Sequence, residues 1–89
     1  MKIADGFILQ NVAGENIVVP IEEKSLSFKA MITLNEPGAF LWGLLQVDRT
    51  KSDLVYELIN RYDIDELTAD KDVDDFLQKL MDIQVLENS

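Results

Sequence analysis

Eighty-nine residues, 47% of them hydrophobic, make one small globular domain spanning 1–89. Seventeen acidic against eight basic residues give a formal charge of −9, which repels phosphate backbones and anionic membrane surfaces. The absence of cysteine and histidine excludes a disulfide framework, thiolate chemistry, the usual general base at neutral pH and the commonest metal ligand.

The N-terminus lacks the apolar core of a signal peptide, and no stretch approaches the roughly 20 apolar residues that span a bilayer. The expectation is a soluble cytoplasmic chain. Residues 6–13, GFILQNVA, read as a first strand. Gly14-Glu15-Asn16 is turn chemistry, with Glu15-Asn16 expected to close a tight hairpin. Ile17 to Ile21 is a second, β-branched strand, whose end Pro20 marks because proline cannot donate to a ladder. A polar link, Glu22 to Ser25, leads to a third strand over about 26–34. There Phe28, Ala30, Ile32 and Leu34 fall on one face, and Lys29, Met31 and Thr33 on the other.

The third strand runs without a linker into the first helix, about 36–46. Asn35 stands at its N-cap and Pro37 in its first turn. Phe40, Leu41, Trp42, Leu44 and Leu45 leave this helix little solvent face, so it is expected near the middle of the domain, with Trp42 in the core. Thr50 and Asp53 form a capping-box-like pair that opens helix two, whose apolar face is Leu54, Val55, Leu58, Ile59 and Tyr62. Asp63 to Asp72 reads as an acidic link anchored by Ile64 and Leu67, with Asp70 or Thr68 capping helix three. Helix three carries Val73, Phe76, Leu77, Leu80 and Met81 at i, i+3, i+4, i+7 and i+8. Ile83, Val85 and Leu86 continue beyond it as a packing tail. Three strands followed by three helices is an α+β pattern, and also the arrangement of a winged helix-turn-helix.

No residue set announces catalysis. Asp70, Asp72, Asp74 and Asp75 lack the spacing, central glycine and terminal glutamate of an EF-hand, and the helix macrodipole accounts for acidic residues at a helix start. No catalytic residue, metal site or cofactor is therefore assigned. The third strand offers a different possibility. In a three-stranded meander one of its edges stays open, and an open edge can accept an extended peptide as a further strand. Most sheet edges are simply tolerated, so the pattern alone does not choose. Met31, on the polar-patterned face, is either an ordinary partly exposed methionine or an adaptable contact for a partner.

Leu34-Asn35, Gly38, Leu41-Trp42, Leu44-Leu45, Thr50 and the run Asp72 to Leu80 resemble the PqqD family over roughly residues 15–87. Its members are small proteins of pyrroloquinoline quinone biosynthesis and related peptide-modifying systems. The resemblance implies a winged helix-turn-helix fold and a non-catalytic role as a recognition element for ribosomally made precursor peptides. In such domains the leader segment adds beside the third strand and lies against the third helix. The domain then presents the peptide to a modifying enzyme, often a radical SAM protein. By resemblance, Phe28, Lys29, Ala30, Met31, Ile32 and Thr33 supply backbone pairing. Val73, Phe76, Leu77 and Leu80 wall the groove, with Lys79 at its rim. Spacing leaves open which of these serve the core instead.

Two departures stand out. Gln46-Val47 replaces the Asp-Gly that many members carry after helix one, and Gln84 stands where many have glycine before the last apolar pair. Both bear on helix ends, not on the groove. A stand-alone member serving another peptide fits as well as one in the quinone pathway. The competing readings are an acidic adaptor that docks a protein partner and a winged-helix regulator. The charge of −9 argues against DNA as the partner.

Overall fold

The computed structural model describes residues 1–21 and 32–87. In chain order the elements are β1 (Lys2–Ile3), β2 (Phe7–Val12), β3 (Glu15–Pro20), β4 (Thr33–Leu34), α1 (Glu36–Leu44), α2 (Lys51–Tyr62), α3 (Glu66–Asp82) and β5 (Leu86–Glu87). β2, β3 and β4 form an antiparallel sheet in that order, and the three helices follow it: the α+β, winged helix-turn-helix arrangement expected from the sequence.

The hairpin turn lies two residues earlier than its chemistry implied. Ala13 and Gly14 are the two turn residues, with φ of 52° and 85°, while Glu15 and Asn16 already pair with Val12 and Asn11. Positive φ at both central positions is the I′ requirement, free for Gly14 and strained for Ala13. Packing selects this register. Leu9 pairs with Val18, and both face the core, where Val18 is fully buried. A one-residue slip would turn that whole set to solvent. Pro20 ends β3, opposite Phe7.

The polar link and, of the third predicted strand at about 26–34, residues 26–31 lie outside the described residues. The remainder keeps the predicted alternation: Ile32 is partly buried, Thr33 exposed and Leu34 buried. Two short strands were not foreseen. β1 pairs with β5, Lys2 with Glu87 and Ile3 with Leu86. The Ile3 and Ala4 amides also donate to the Leu45 and Val85 carbonyls at 2.9 and 2.8 Å. The apolar tail after α3 thus packs as expected, with Val85 fully buried, and becomes a strand because β1 offers it a partner.

α1 begins as predicted, the Asn35 side chain accepting from the Gly38 amide at 2.8 Å, but ends two residues early at Leu44. Leu41, Trp42 and Leu45 are buried between β4 and α2, and Phe40 meets Tyr62 edge-on at 6.0 Å. The Thr50–Asp53 capping box is complete: the Asp53 amide donates to Thr50 Oγ1 at 3.1 Å, and the Thr50 amide to Asp53 Oδ2 at 3.0 Å.

The start of α3 corrects the sequence reading. Asp65, not Asp70 or Thr68, is the N-cap, and its Oδ1 accepts the Thr68 amide at 2.7 Å. Asp63, at φ 52°, ends α2 in the left-handed region, so only two residues separate it from α3. Leu67 is 81% exposed and anchors nothing, whereas Ile64 does pack against the core. Asp70, Asp72 and Asp74 sit beyond the first turn, outside the reach of the macrodipole. Two of them hold a cation instead: Lys51 Nζ bridges Asp70 at 2.9 Å and Asp74 at 2.8 Å, tying the start of α2 to α3. α3 closes on a Schellman motif. The Val85 amide reaches the Leu80 carbonyl and the Gln84 amide the Met81 carbonyl, both at 3.1 Å, with Gln84 at φ 60°. Among the described residues, no helix is long and apolar enough to cross a membrane.

Candidate functional site

Hydrogen-bond alternation fixes which way β4 faces. The Val18 amide donates to the Ile32 carbonyl at 3.0 Å, so Val18–Ile32 is a hydrogen-bonded pair. The next pair, Ile17–Thr33, is then the non-bonded kind, and Asn16–Leu34 is bonded again. Thr33 therefore turns its N–H and C=O away from β3. Nothing among the described residues pairs with β4 on that side. Among the described residues, a strand edge with one donor and one acceptor lies open there.

Next to that edge is a groove of about 410 Å³. One wall is the β4–α1 junction: Leu34, Asn35, Pro37, Gly38 and Leu41. The other is a face of α3 that carries Asp72, Asp75, Phe76, Gln78, Lys79 and Asp82. Gly38 lets the first turn of α1 sit closely on β4: a Cβ there would stand 3.0 Å from Asn35 Oδ1 and 3.3 Å from Leu34 Cβ, so a larger residue would push the cap side chain or Leu34 aside by a few tenths of an ångström. Pro37 brings no amide to be satisfied. The floor, Leu34, Leu41 and Phe76, is apolar and nearly covered by the protein itself.

The sequence-derived candidates divide by burial. Phe28, Lys29, Ala30 and Met31 lie outside the described residues. Ile32 and Thr33 lie on the β4 side. On α3, Val73 and Leu80 have no exposed surface and belong to the core, and Leu77 is 8% exposed. Phe76 and Lys79 line the groove, one as floor and one as wall. Helical spacing presented one apolar stripe; the groove divides it, since Phe76 shares the groove lining with Leu34 and Leu41 while Val73, Leu77 and Leu80 do not. The α1 wall was missed altogether. Its signal was present in Asn35-Glu36-Pro37-Gly38, which reads as a helix start and, with Leu34 just before it, brings the cap beside the strand.

The groove is acidic. Asp72 and Lys79 make no ion pair among the described residues. Asp75 meets only the exposed Lys71, at 3.3 Å, and Asp82 accepts from Gln78 Nε2 at 2.9 Å. A second hollow, of about 450 Å³, lies on the other flank between α2 and α3, lined by Lys51, Ser52, Val55, Tyr56, Ile59, Glu66 and Asp70. It has no strand edge. Its lysine and Asp70 neutralise each other, and the two carboxylates of Asp74 and Asp70, in that order, hold Lys51 above its ordinary pKa of 10.5. Among the described residues, no three acidic side chains converge as a metal ion would require.

The structure of TbiB1 in complex with the TbiA(beta) leader peptide matches with a TM-score of 0.75 at 24% identity, over 100% of this chain and 98% of that one. At that identity the likeness shows the fold. No curated protein is significantly similar in sequence. The model of the family of coenzyme PQQ synthesis protein D, PqqD, matches residues 8–86, nearly the whole length, and the chain belongs to that family.

Proposed function

We propose that the whole chain, 1–89, is a non-catalytic recognition domain that binds the leader segment of a ribosomally synthesised precursor peptide and presents it to a modifying enzyme, such as a radical SAM protein. The observation that carries this reading is the outward-turned N–H and C=O of Thr33 at an open edge directly beside the groove. An added strand would gain main-chain pairing from β4, and its alternate side chains would drop toward Leu41 and Phe76. Family membership and the leader peptide bound to TbiB1 support the same reading. On this reading the domain works in the cytoplasm, where precursor peptides are made. A DNA-binding role finds no support in α3, whose exposed positions include Asp72, Asp74, Asp75 and Asp82.

Thr33→Pro is the direct test. It removes the outward N–H and leaves the β3–β4 ladder its bonds, because Thr33 contributes none to it. Titrated with the leader encoded by a precursor gene beside this one, the wild-type protein should show amide shifts at residues 32–34 and 72–83. Thr33→Pro should bind at least about tenfold more weakly, from the lost hydrogen bond and the blocked approach of the strand. Shifts concentrated on α2 or on residues 1–20 would reject this site.

A further inference from the structure

Resting on that reading, we infer that the peptide this groove selects carries a Lys or Arg that faces Asp72 and Asp75, set next to an apolar anchor over Phe76. Three carboxylates and one ammonium line the groove, a net of −2 from 3 acidic and 1 basic side chains. Asp72 has no ion-pair partner among the described residues, and Asp75 shares its charge only with Lys71, whose side chain is 77% exposed and readily exchanged for a ligand's. The other nearby aspartates, Asp70 and Asp74, both bond one cation, Lys51, on the far flank. Asp72 and the groove's net charge of −2 therefore lie where a strand added to β4 would run.

The distribution is also directional. Asp72, Asp75, Phe76, Lys79 and Asp82 recur at helical spacing along one face of α3. At about 1.5 Å per residue, Asp72 to Asp82 spans about 15 Å, the length of roughly four to five extended peptide residues. Lys79 sits past Phe76 and repels a cation there, so the basic preference falls at the Asp72–Asp75 end. Alternate side chains of an extended peptide face the same way. The basic residue therefore belongs two or four positions from the apolar anchor, always on the same side of it.

The test is selection of a displayed library of random twelve-residue peptides on the wild-type protein and on the double variant Asp72→Asn, Asp75→Asn, with binding sites read by amide shifts. Both positions are exposed, so the variant should fold. The wild type should enrich Lys or Arg at a fixed even offset from an apolar residue, and the variant should lose that enrichment while keeping the apolar one. A selected peptide should bind the variant about five- to tenfold more weakly at low salt, with the difference shrinking as sodium chloride is added. Peptides that occupy the groove with no basic preference would overturn this inference and leave the peptide-recognition reading standing. Selected peptides that shift only amides outside the groove, or no selection at all, would overturn both.

Discussion

Two hollows of nearly equal size flank α3, about 410 and 450 Å³, and they differ in what their walls leave unsatisfied. The β4 flank has an open strand edge, an apolar floor that includes Phe76, and an aspartate with no ion-pair partner among the described residues. The α2 flank has exposed apolar groups too, Tyr56 at 65% and, nearby on α3, Leu67 at 81%. Its Asp70, however, is held by Lys51, its remaining carboxylate, Glu66, lies in the first turn of α3 where the helix dipole favours it, and both of its walls are helices whose backbone groups bond internally. Volume does not separate the two. Free backbone hydrogen-bonding capacity does, and so, to a smaller degree, does the larger negative charge of the β4 flank, because both raise what an incoming extended peptide gains relative to water.

The largest effect expected from breaking this contrast is at Phe76. It is only 5% exposed and serves core and groove floor together, so Phe76→Ala should cost about 3–5 kcal/mol of stability, a large share of what a small domain has. Tyr56→Ala on the other flank should change stability by less than about 0.5 kcal/mol and leave peptide affinity intact. Urea unfolding of the two variants, with a leader titration of Tyr56→Ala, checks both. Lost binding in a folded Tyr56→Ala would erase the distinction between the flanks.

A smaller effect should separate stability from binding. Gln84 holds a left-handed conformation that strains any residue with a Cβ. Gln84→Gly should stabilise the chain by about 0.5–1 kcal/mol, offset in part by the flexibility glycine adds to the unfolded state. A thermal scan would register the rise in Tm, and affinity should stay put because Gln84 lies outside the groove. At the other family departure, neither Gln46 nor Val47 takes a positive φ, so no glycine is needed there.

The smallest effect is in pH. A hydrogen bond from the Thr68 side chain, then one from its amide, holds Asp65 below its ordinary 3.8; the Thr50 amide does the same for Asp53. Carboxylates lowered on folding stabilise above that ordinary value, and the contribution disappears as pH falls through the folded value. Asp65→Asn can still cap α3 but does not titrate, so its Tm should fall less than the wild type's between about pH 5 and pH 2. Identical acid profiles would remove Asp65 from the account. Lys51, raised above 10.5, acts in the opposite sense: its tie between α2 and α3 is complete below that pH and weakens as pH rises past it.

The sequence by itself determined whatever depends on neighbours in the chain. Asn35 and the Thr50–Asp53 pair capped the helices they were expected to cap, since a cap needs only a side chain three residues from an amide. The order of strands and helices, the burial of Trp42 and the departure of Val85 from α3 followed from apolar spacing, and the family resemblance from residues scattered through those same elements. Local rules misled where two answers were nearly equal. The start of α3 was expected at Asp70 or Thr68, and the left-handed Asp63 that ends α2 instead brings Asp65 to the cap. What only the tertiary structure decided is pairing between distant segments: β1 with β5, Lys51 with Asp70 and Asp74, and the β4–α1 junction against α3. The division of α3's apolar stripe between core and groove belongs here too. Val73 and Phe76 are three residues apart and alike in sequence, and they differ only in that Val73 is enclosed by the core while Phe76 also forms the floor beneath an open strand edge. Spacing along one helix carries no information about where the neighbouring elements stop, and that boundary is what makes a groove.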